Sequence, residues 1–198
     1  MRICLTRKMN DNEGFVCFTS ELLGLTDTFE VNPSLYGTGN YYTQYLKRGA
    51  LDDYALGLYV THVYVKKDEA DNPIEIIGYV TLRTSSLTIR ERKNQLGAFP
   101  ALEIYMLAVD AKYERQGYGS ILIQYTLAVA GQLRENHAGV QYIVVCADQN
   151  AVPFYAKNKF VPCSDLYTLP LWQRLKSYKR FPRGRHALVN VNMQLGLP

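Results

Sequence analysis

Residues 102–120 constrain this chain more than any other segment. Leu102 to Val109 is a strand-like apolar run. A short polar turn follows, then Gly117-Tyr118-Gly119, then a long amphipathic run from Ser120. A strand that feeds a glycine turn at a helix N-terminus presents several backbone N–H groups to one anion, because the first amides of a helix have no partner within it. Glycine serves there because a Cβ would obstruct both a positive φ and the close approach of the ligand. The segment therefore reads as a pyrophosphate site.

Missing residues narrow the type of site. No third glycine follows at the dinucleotide spacing, and no Gly-Lys-Ser/Thr of a P-loop is present. The flanks carry more. Glu103-Ile104-Tyr105-Met106-Leu107-Ala108-Val109 followed by Glu114-Arg115-Gln116-Gly117-Tyr118-Gly119 resembles the acetyl-CoA-binding core of the GNAT N-acetyltransferase superfamily, a strand, then Gln/Arg-x-x-Gly-x-Gly/Ala, then a helix. A second block, Ala151-Val152-Pro153-Phe154-Tyr155-Ala156-Lys157-Asn158-Lys159-Phe160, resembles the family's Ala-x-x-Phe-Tyr-x-x-x-Gly-Phe. Together the two cover about residues 57–163. The sequence departs from the pattern twice. Glu114 stands where Gln or Arg is usual, with Arg115 beside it to compensate the charge. Asn158-Lys159 replaces the residue-glycine pair before Phe160, and Asn158 is expected to supply the left-handed helix stop.

The resemblance implies an α+β GNAT fold with a central mixed, mostly antiparallel sheet of about six to seven strands and about four helices. At 198 residues the chain suits a single domain, 1–198, with one continuous core. Apolar content of 47% and charged content of 20% are globular values. No apolar run reaches membrane-spanning length, and Met1–Lys8 is too short and too charged for a signal peptide. The cytoplasm is the expected compartment. Cys4, Cys17, Cys146 and Cys163 lack Cys-x-x-Cys spacing and sit among apolar residues, as buried thiols do. His62, His137 and His186 form no ligand cluster, so no metal is expected.

Charge is uneven. All 18 acids lie at or before Asp165, and the last 33 residues carry Arg174, Lys176, Lys179, Arg180, Arg183 and Arg185, leaving −2 on the preceding 165. This strip reads either as a polyanion contact or as a solvated loop.

Along the chain, Arg2–Thr6 is expected as a first strand. Ser20 is expected to cap a helix through Phe29, and Asn40 to open another through about Arg48. Leu58–Val65 and Ile74–Thr84 read as a hairpin, with Gly78 marking a bulge. Residues 85–98 read as a polar connection. Gly119 to about His137 places Ile121, Leu122, Tyr125, Ala128, Val129 and Leu133 on one helical face. Val140–Ala147 reads as a strand buried on both faces. Asp148 or Asn150 is expected to cap the last helix, with Pro153 in its first turn. Phe160–Cys163 and Ala187–Leu195 complete the sheet. Tyr36, Tyr41, Tyr42, Tyr45 and Tyr54 read mostly as packing between helices and sheet.

Carried onto this chain, the resemblance implies acetyl-CoA as cosubstrate. The pantetheine arm would lie along Leu107, Ala108 and Val109, with the thioester carbonyl polarised by a backbone N–H there. The pyrophosphate would rest on Arg115, Gln116, Gly117, Tyr118, Gly119 and Ser120. Tyr155 matches the tyrosine that protonates the departing thiolate, or else is a core residue. Glu103 matches the base of the histone-acetylating branch, or else is structural. Asn150 touches CoA or caps a helix. The expected activity is acetyl transfer to a primary amine of a small molecule or protein. Two alternatives stand: a GNAT toxin acetylating aminoacyl-tRNA, for which the 174–185 strip would contact RNA, and a non-catalytic acyl-CoA sensor. A homodimer is a further option, and no membrane partner is expected.

Overall fold

The computed structural model describes residues 11–33, 39–90, 96–162 and 191–196. The strands are β1 (Glu13–Cys17), β2 (Val60–Lys67), β3 (Pro73–Arg90), β4 (Leu96–Val109), β5 (Tyr142–Ala147), β6 (Val161–Pro162) and β7 (Val191–Gly196). Their hydrogen-bonded order is β1-β2-β3-β4-β5-β7-β6. The α-helices are α1 (Gly39–Gln44), α2 (Ala50–Ala55), α3 (Tyr118–Asn136) and α4 (Val152–Lys157). This is the α+β arrangement expected, and the pairs β1–β2, β2–β3, β5–β7 and β6–β7 are antiparallel. The chain forms two compact units, Met1–Arg83 with Ile104–Val129, and Thr84–Glu103 with Ala130–Pro198.

The first unit has two apolar clusters. β2 alternates strictly between them: Val63 and Val65 enter one with Phe18, Phe29, Tyr45 and Leu46, while Tyr64 enters the other with Tyr118, Ile121 and Leu122 of α3. β3 cannot alternate, because its register slips by one residue: Tyr64 pairs Gly78 and Val65 pairs Ile76. Ile76 and Tyr79 face the first cluster, whereas Ile77 faces the second. A Cβ on Gly78 would stand 3.3 Å from the Leu122 side chain and 2.8 Å from the Ala108 carbonyl oxygen. The bulge expected at Gly78 is there, and glycine is required because β4 and α3 both close on it.

Several expectations need correction. The strand expected at Arg2–Thr6 lies outside the described residues; β1, which was not expected, pairs β2 with Phe15 opposite Tyr64 and Cys17 opposite His62. The helix expected from Ser20 is a 3₁₀ segment, Ser20–Thr26, with Thr19 at its N-cap and no capping side chain. Gly24 lies within it, and the Thr26 hydroxyl turns back to the Leu23 carbonyl, both of which disfavour a longer α-helix. The second helix continues past Arg48 to Ala55 through a π turn at Tyr45–Gly49. The polar stretch 85–98 is largely strand rather than connection. Within it Ser86 is exposed and Leu87 buried, and 91–95 lie outside the described residues.

α3 buries Ile121, Leu122, Ile123, Thr126 and Ala130, while Val129 and Leu133 are half-buried. β5 is not buried on both faces. Ile143, Val145 and Ala147 are buried while Cys146 is exposed, the alternation of a sheet with one solvated side. Cys17 is exposed too, so neither described thiol has the burial expected for it. Of the tyrosines read as packing, Tyr45 is buried against Tyr79, whereas Tyr41 and Tyr54 are more than half exposed and Tyr36 is outside the described residues. No helix among the described residues is long and apolar enough to cross a membrane.

Candidate active site

In the first unit, β4 ends at Val109 and the chain turns through Asp110 into a 3₁₀ turn, Ala111–Tyr113. Asp110 is almost fully buried. Its carboxylate accepts from the backbone N–H groups of Glu30 (3.0 Å) and Lys112 (2.9 Å), which offsets the cost of burying it. Its own N–H donates to the Ile77 carbonyl at 2.9 Å, on the β3 bulge. The strand end is thus pinned from two directions.

The loop beyond is built on two left-handed residues, Arg115 at φ +60° and Gly117 at φ +93°. Gly117 takes this conformation freely, whereas Arg115 adopts it at a cost. Arg115, Gln116 and Gly117 are exposed and Tyr118 is buried, so the backbone is open to solvent at Gly117, which has no side chain, while α3 is anchored by its first side chain. The Ser120 N–H donates to the Gly117 carbonyl at 3.0 Å, already engaged in the first helical turn. The Gln116 carboxamide donates to the Lys112 carbonyl at 2.8 Å. Leu107 and Val109 pack toward α3, and Met106 and Ala108 toward the other cluster. Leu107–Ser120 is therefore one continuous, well-braced segment.

Sequence reasoning did not single out the aromatic group around Tyr105. Its ring stacks on Tyr59 (4.2 Å between centroids, 17° between planes) and meets Tyr45 edge-on. The Arg83 guanidinium lies 5.4 Å from both the Tyr59 and Tyr105 rings and donates to the Tyr59 hydroxyl at 3.0 Å. Burial, then the neighbouring Tyr41 and Tyr59 hydroxyls, push the Tyr105 phenol well above its ordinary pKa. Tyr105 packs against the same cluster as the adjacent Met106, which strict strand alternation would forbid. That is why no pattern in the sequence marked it.

Glu103, Asn150 and Tyr155 belong to the second unit. Glu103 is half-buried on β4 and Asn150 exposed in the 3₁₀ turn Gln149–Ala151. Neither Asp148 nor Asn150 caps α4: Ala151 occupies that N-cap without a side-chain bond, and Pro153 lies in the first turn as expected. Tyr155 is only 5% exposed, edge-on to both Phe154 (5.0 Å) and Phe160 (5.4 Å). At the other end of α4, Phe160 N–H donates to the Tyr155 carbonyl and Lys159 N–H to the Ala156 carbonyl, both at 3.0 Å. These two bonds, with the Phe160–Tyr155 contact, make a Schellman cap. The left-handed residue is Lys159 at φ +70°, not Asn158 as expected. Asn158 sits at the C-cap with φ −87°, its carboxamide donating to the Phe154 carbonyl. Among the described residues no group of three His, Cys, Asp or Glu side chains could hold a metal ion.

A sheet whose fourth strand runs through a glycine loop into a long helix defines the class of acyl-CoA-dependent acetyltransferases. The sequence profile of the acetyltransferase (GNAT) domain matches residues 59–162, just over half of the chain. The chain belongs to the GNAT family and is an N-acetyltransferase. Solved structures agree on the fold. A tyrosine-to-phenylalanine variant of the AtaT toxin, bound to the C-terminus of the antitoxin AtaR and to acetyl-CoA, is similar with a TM-score of 0.60 at 16% identity, over 94% of each chain. A crystal structure of a bacterial toxin gives 0.66 at 17%, over 93% of this chain and 90% of that one. AtaT complexed with acetyl-methionyl-tRNAfMet gives 0.63 at 15%, over 84% and 99%.

Proposed function

We propose that the chain, acting as one catalytic domain in the cytoplasm, transfers an acetyl group from acetyl-CoA directly to a primary amine. The observation that carries this is the Leu107–Ser120 segment, a pinned strand end running into an exposed left-handed loop at the N-terminus of α3. In this reading the amides between Arg115 and Gly119, with the Ser120 side chain beside them, receive the pyrophosphate, and Leu107, Ala108 and Val109 line the pantetheine arm. A backbone N–H of that strand polarises the thioester carbonyl as negative charge grows on its oxygen. The neutral amine attacks the carbonyl carbon, the C–S bond breaks, and the thiolate takes its proton from the Tyr155 phenol. Glu103 takes the proton released by the amine, directly or through water. Asn150 contacts CoA, a role its exposed position and lack of a capping bond leave open to it.

A second reading takes aminoacyl-tRNA as the amine. Two things favour it: the similar fold of AtaT in complex with acetyl-methionyl-tRNAfMet, and the basic strip Arg174–Arg185, which lies outside the described residues. The test of the proposal is CoA binding and acetyl-CoA turnover with a panel of small amines, peptides and aminoacyl-tRNA, for the native chain and Gly117→Val. Gly117 carries φ +93°, so a β-branched residue there is forced out of the loop's conformation. CoA binding should disappear while the fold survives. Native CoA affinity in Gly117→Val would remove the pyrophosphate from this loop, and failure of every amine to turn over would leave an acyl-CoA sensor.

A further inference from the structure

Two tyrosines flank Gly117, Tyr113 before it and Tyr118 directly after it, edge-on to each other at 5.7 Å between centroids. Each has its hydroxyl held by a carboxylate from a different strand. Glu13 of β1 accepts from Tyr118 at 3.1 Å through one oxygen and from Tyr64 of β2 at 2.9 Å through the other. Glu75 of β3 accepts from Tyr113 at 2.7 Å, and the same Tyr113 hydroxyl accepts from Lys66 of β2 at 2.6 Å. Lys66 and Lys112 both approach the Glu75 carboxylate, at 3.5 and 3.3 Å. Burial alone would raise the Glu75 pKa, yet the Tyr113 hydrogen bond and the two lysines hold it below the ordinary carboxylate value.

Bonds to a charged acceptor are roughly twice as strong as neutral ones, and these reach over long sequence separations. Tyr118 is the first residue of α3 and lies between the two glycines of the loop. Its ring is buried against Tyr64, Ile121 and Leu122, which fixes the depth of the helix end. The hydroxyl held at the far end of the ring adds a directional restraint to that packing.

We propose that Glu13 is a positioning residue for the cosubstrate: by bridging Tyr118 and Tyr64 it orients the first turn of α3, and with it the amides that meet the pyrophosphate. This rests on the pyrophosphate reading of the loop. The bridge acts through Tyr118 and does not touch the ligand. It predicts a specific pattern in binding. Glu13→Ala and Tyr118→Phe should each weaken CoA by about tenfold, the factor expected when the first turn holds its binding orientation only about a tenth of the time. The double variant should be little worse than either, since both break the same link. Glu13→Gln should recover most of the affinity, because a carboxamide still bridges two hydroxyls as acceptor and donor. Pantetheine, which carries no phosphate, should bind all of them as it binds the native chain.

The measurement is calorimetric titration with CoA and with pantetheine, alongside the melting temperature of each variant. A loss of CoA affinity confined to the phosphate-bearing ligand supports the proposal. Unchanged CoA affinity in folded Tyr118→Phe, or equal losses for CoA and pantetheine, overturns it. Should Glu13→Ala fail to fold, Tyr118→Phe and Tyr64→Phe, each lacking a single oxygen, carry the test. Gly117→Val separates the two levels. If it keeps CoA affinity the pyrophosphate reading itself falls, whereas if it loses CoA and Tyr118→Phe does not, only the role of Glu13 falls.

Discussion

Tyr155 owes its setting to a residue of the wrong type in the right place. The Schellman cap ties its carbonyl to Phe160 N–H and its ring to the Phe160 ring, and the cap works only because Lys159 turns left-handed. A side chain in that region costs about 1–2 kcal/mol relative to glycine. Lys159→Gly should therefore raise stability by about 1 kcal/mol, or about 2–4 °C in melting temperature for a chain this long, read by thermal denaturation with acetylation unchanged. A loss of stability would mean that Lys159 makes contacts worth more than its strain. Tyr155→Phe tests the neighbouring chemistry. A proton delivered to the thiolate is needed only as the C–S bond breaks, so kcat should fall by about 10²–10⁴ with KM for acetyl-CoA nearly unchanged. Activity within twofold of native would return Tyr155 to core packing. The Phe-Tyr block was legible in the sequence. The position of the helix stop was misread, because asparagine is the better left-handed residue by type, although the glycine of the family block falls on Lys159, where the hydrogen bonds place the turn.

The elements legible beforehand were those whose pattern is local. The β2–β3 hairpin, the bulge at Gly78, the strand into the glycine loop and the long helix after it all announce themselves in local patterns, each read from neighbouring residues of the chain. β1 did not, being five residues of mixed burial paired to a strand more than forty positions away. The far end of β3 did not either, since polar Thr84 and Ser86 on its solvated side resemble a loop, nor did that of β4, where Gly97 and Pro100 are residues depleted in strands. Gly78 is where the elements depend on each other most tightly. A methyl group there meets the Ala108 carbonyl at 2.8 Å and the Val109 Cα at 3.3 Å, so the end of β4 must move. Gly78→Ala should cost about 1–3 kcal/mol by overpacking, seen as a fall in melting temperature. Because Ala108 and Val109 line the proposed pantetheine groove, affinity for CoA should fall with it. Native stability in this variant would show that α3 and β4 have room to shift.

For the whole molecule the dominant feature is charge asymmetry. The final 33 residues carry +6 and the preceding 165 carry −2, so the aminoacyl-tRNA reading assigns the phosphate contacts to that end of the sequence. The family match ends at residue 162, before the first of these basic residues in the sequence. The aminoacyl-tRNA reading then makes a quantitative demand. Each neutralised phosphate releases counterions, so log affinity falls linearly with log salt at a slope near −0.7 to −0.9 per contact. Six contacts would lose about three orders of magnitude between about 50 and 200 mM salt. Replacing Arg180, Arg183 and Arg185 with Ser should reduce that slope by the share of three contacts and weaken RNA of every sequence alike, because phosphate contacts carry no base information. The same triple variant should acetylate a small amine at the native rate, since the donor-binding segments lie elsewhere in the chain. Absence of RNA binding at 50 mM salt would make the strip a solvated loop and leave small amines and protein amines as the acceptors. RNA binding with a salt slope unmoved by the triple variant would place the contact outside Arg180, Arg183 and Arg185, on Arg174, Lys176 and Lys179 or on the preceding 165 residues, whose net charge of −2 offers far less to a phosphate backbone.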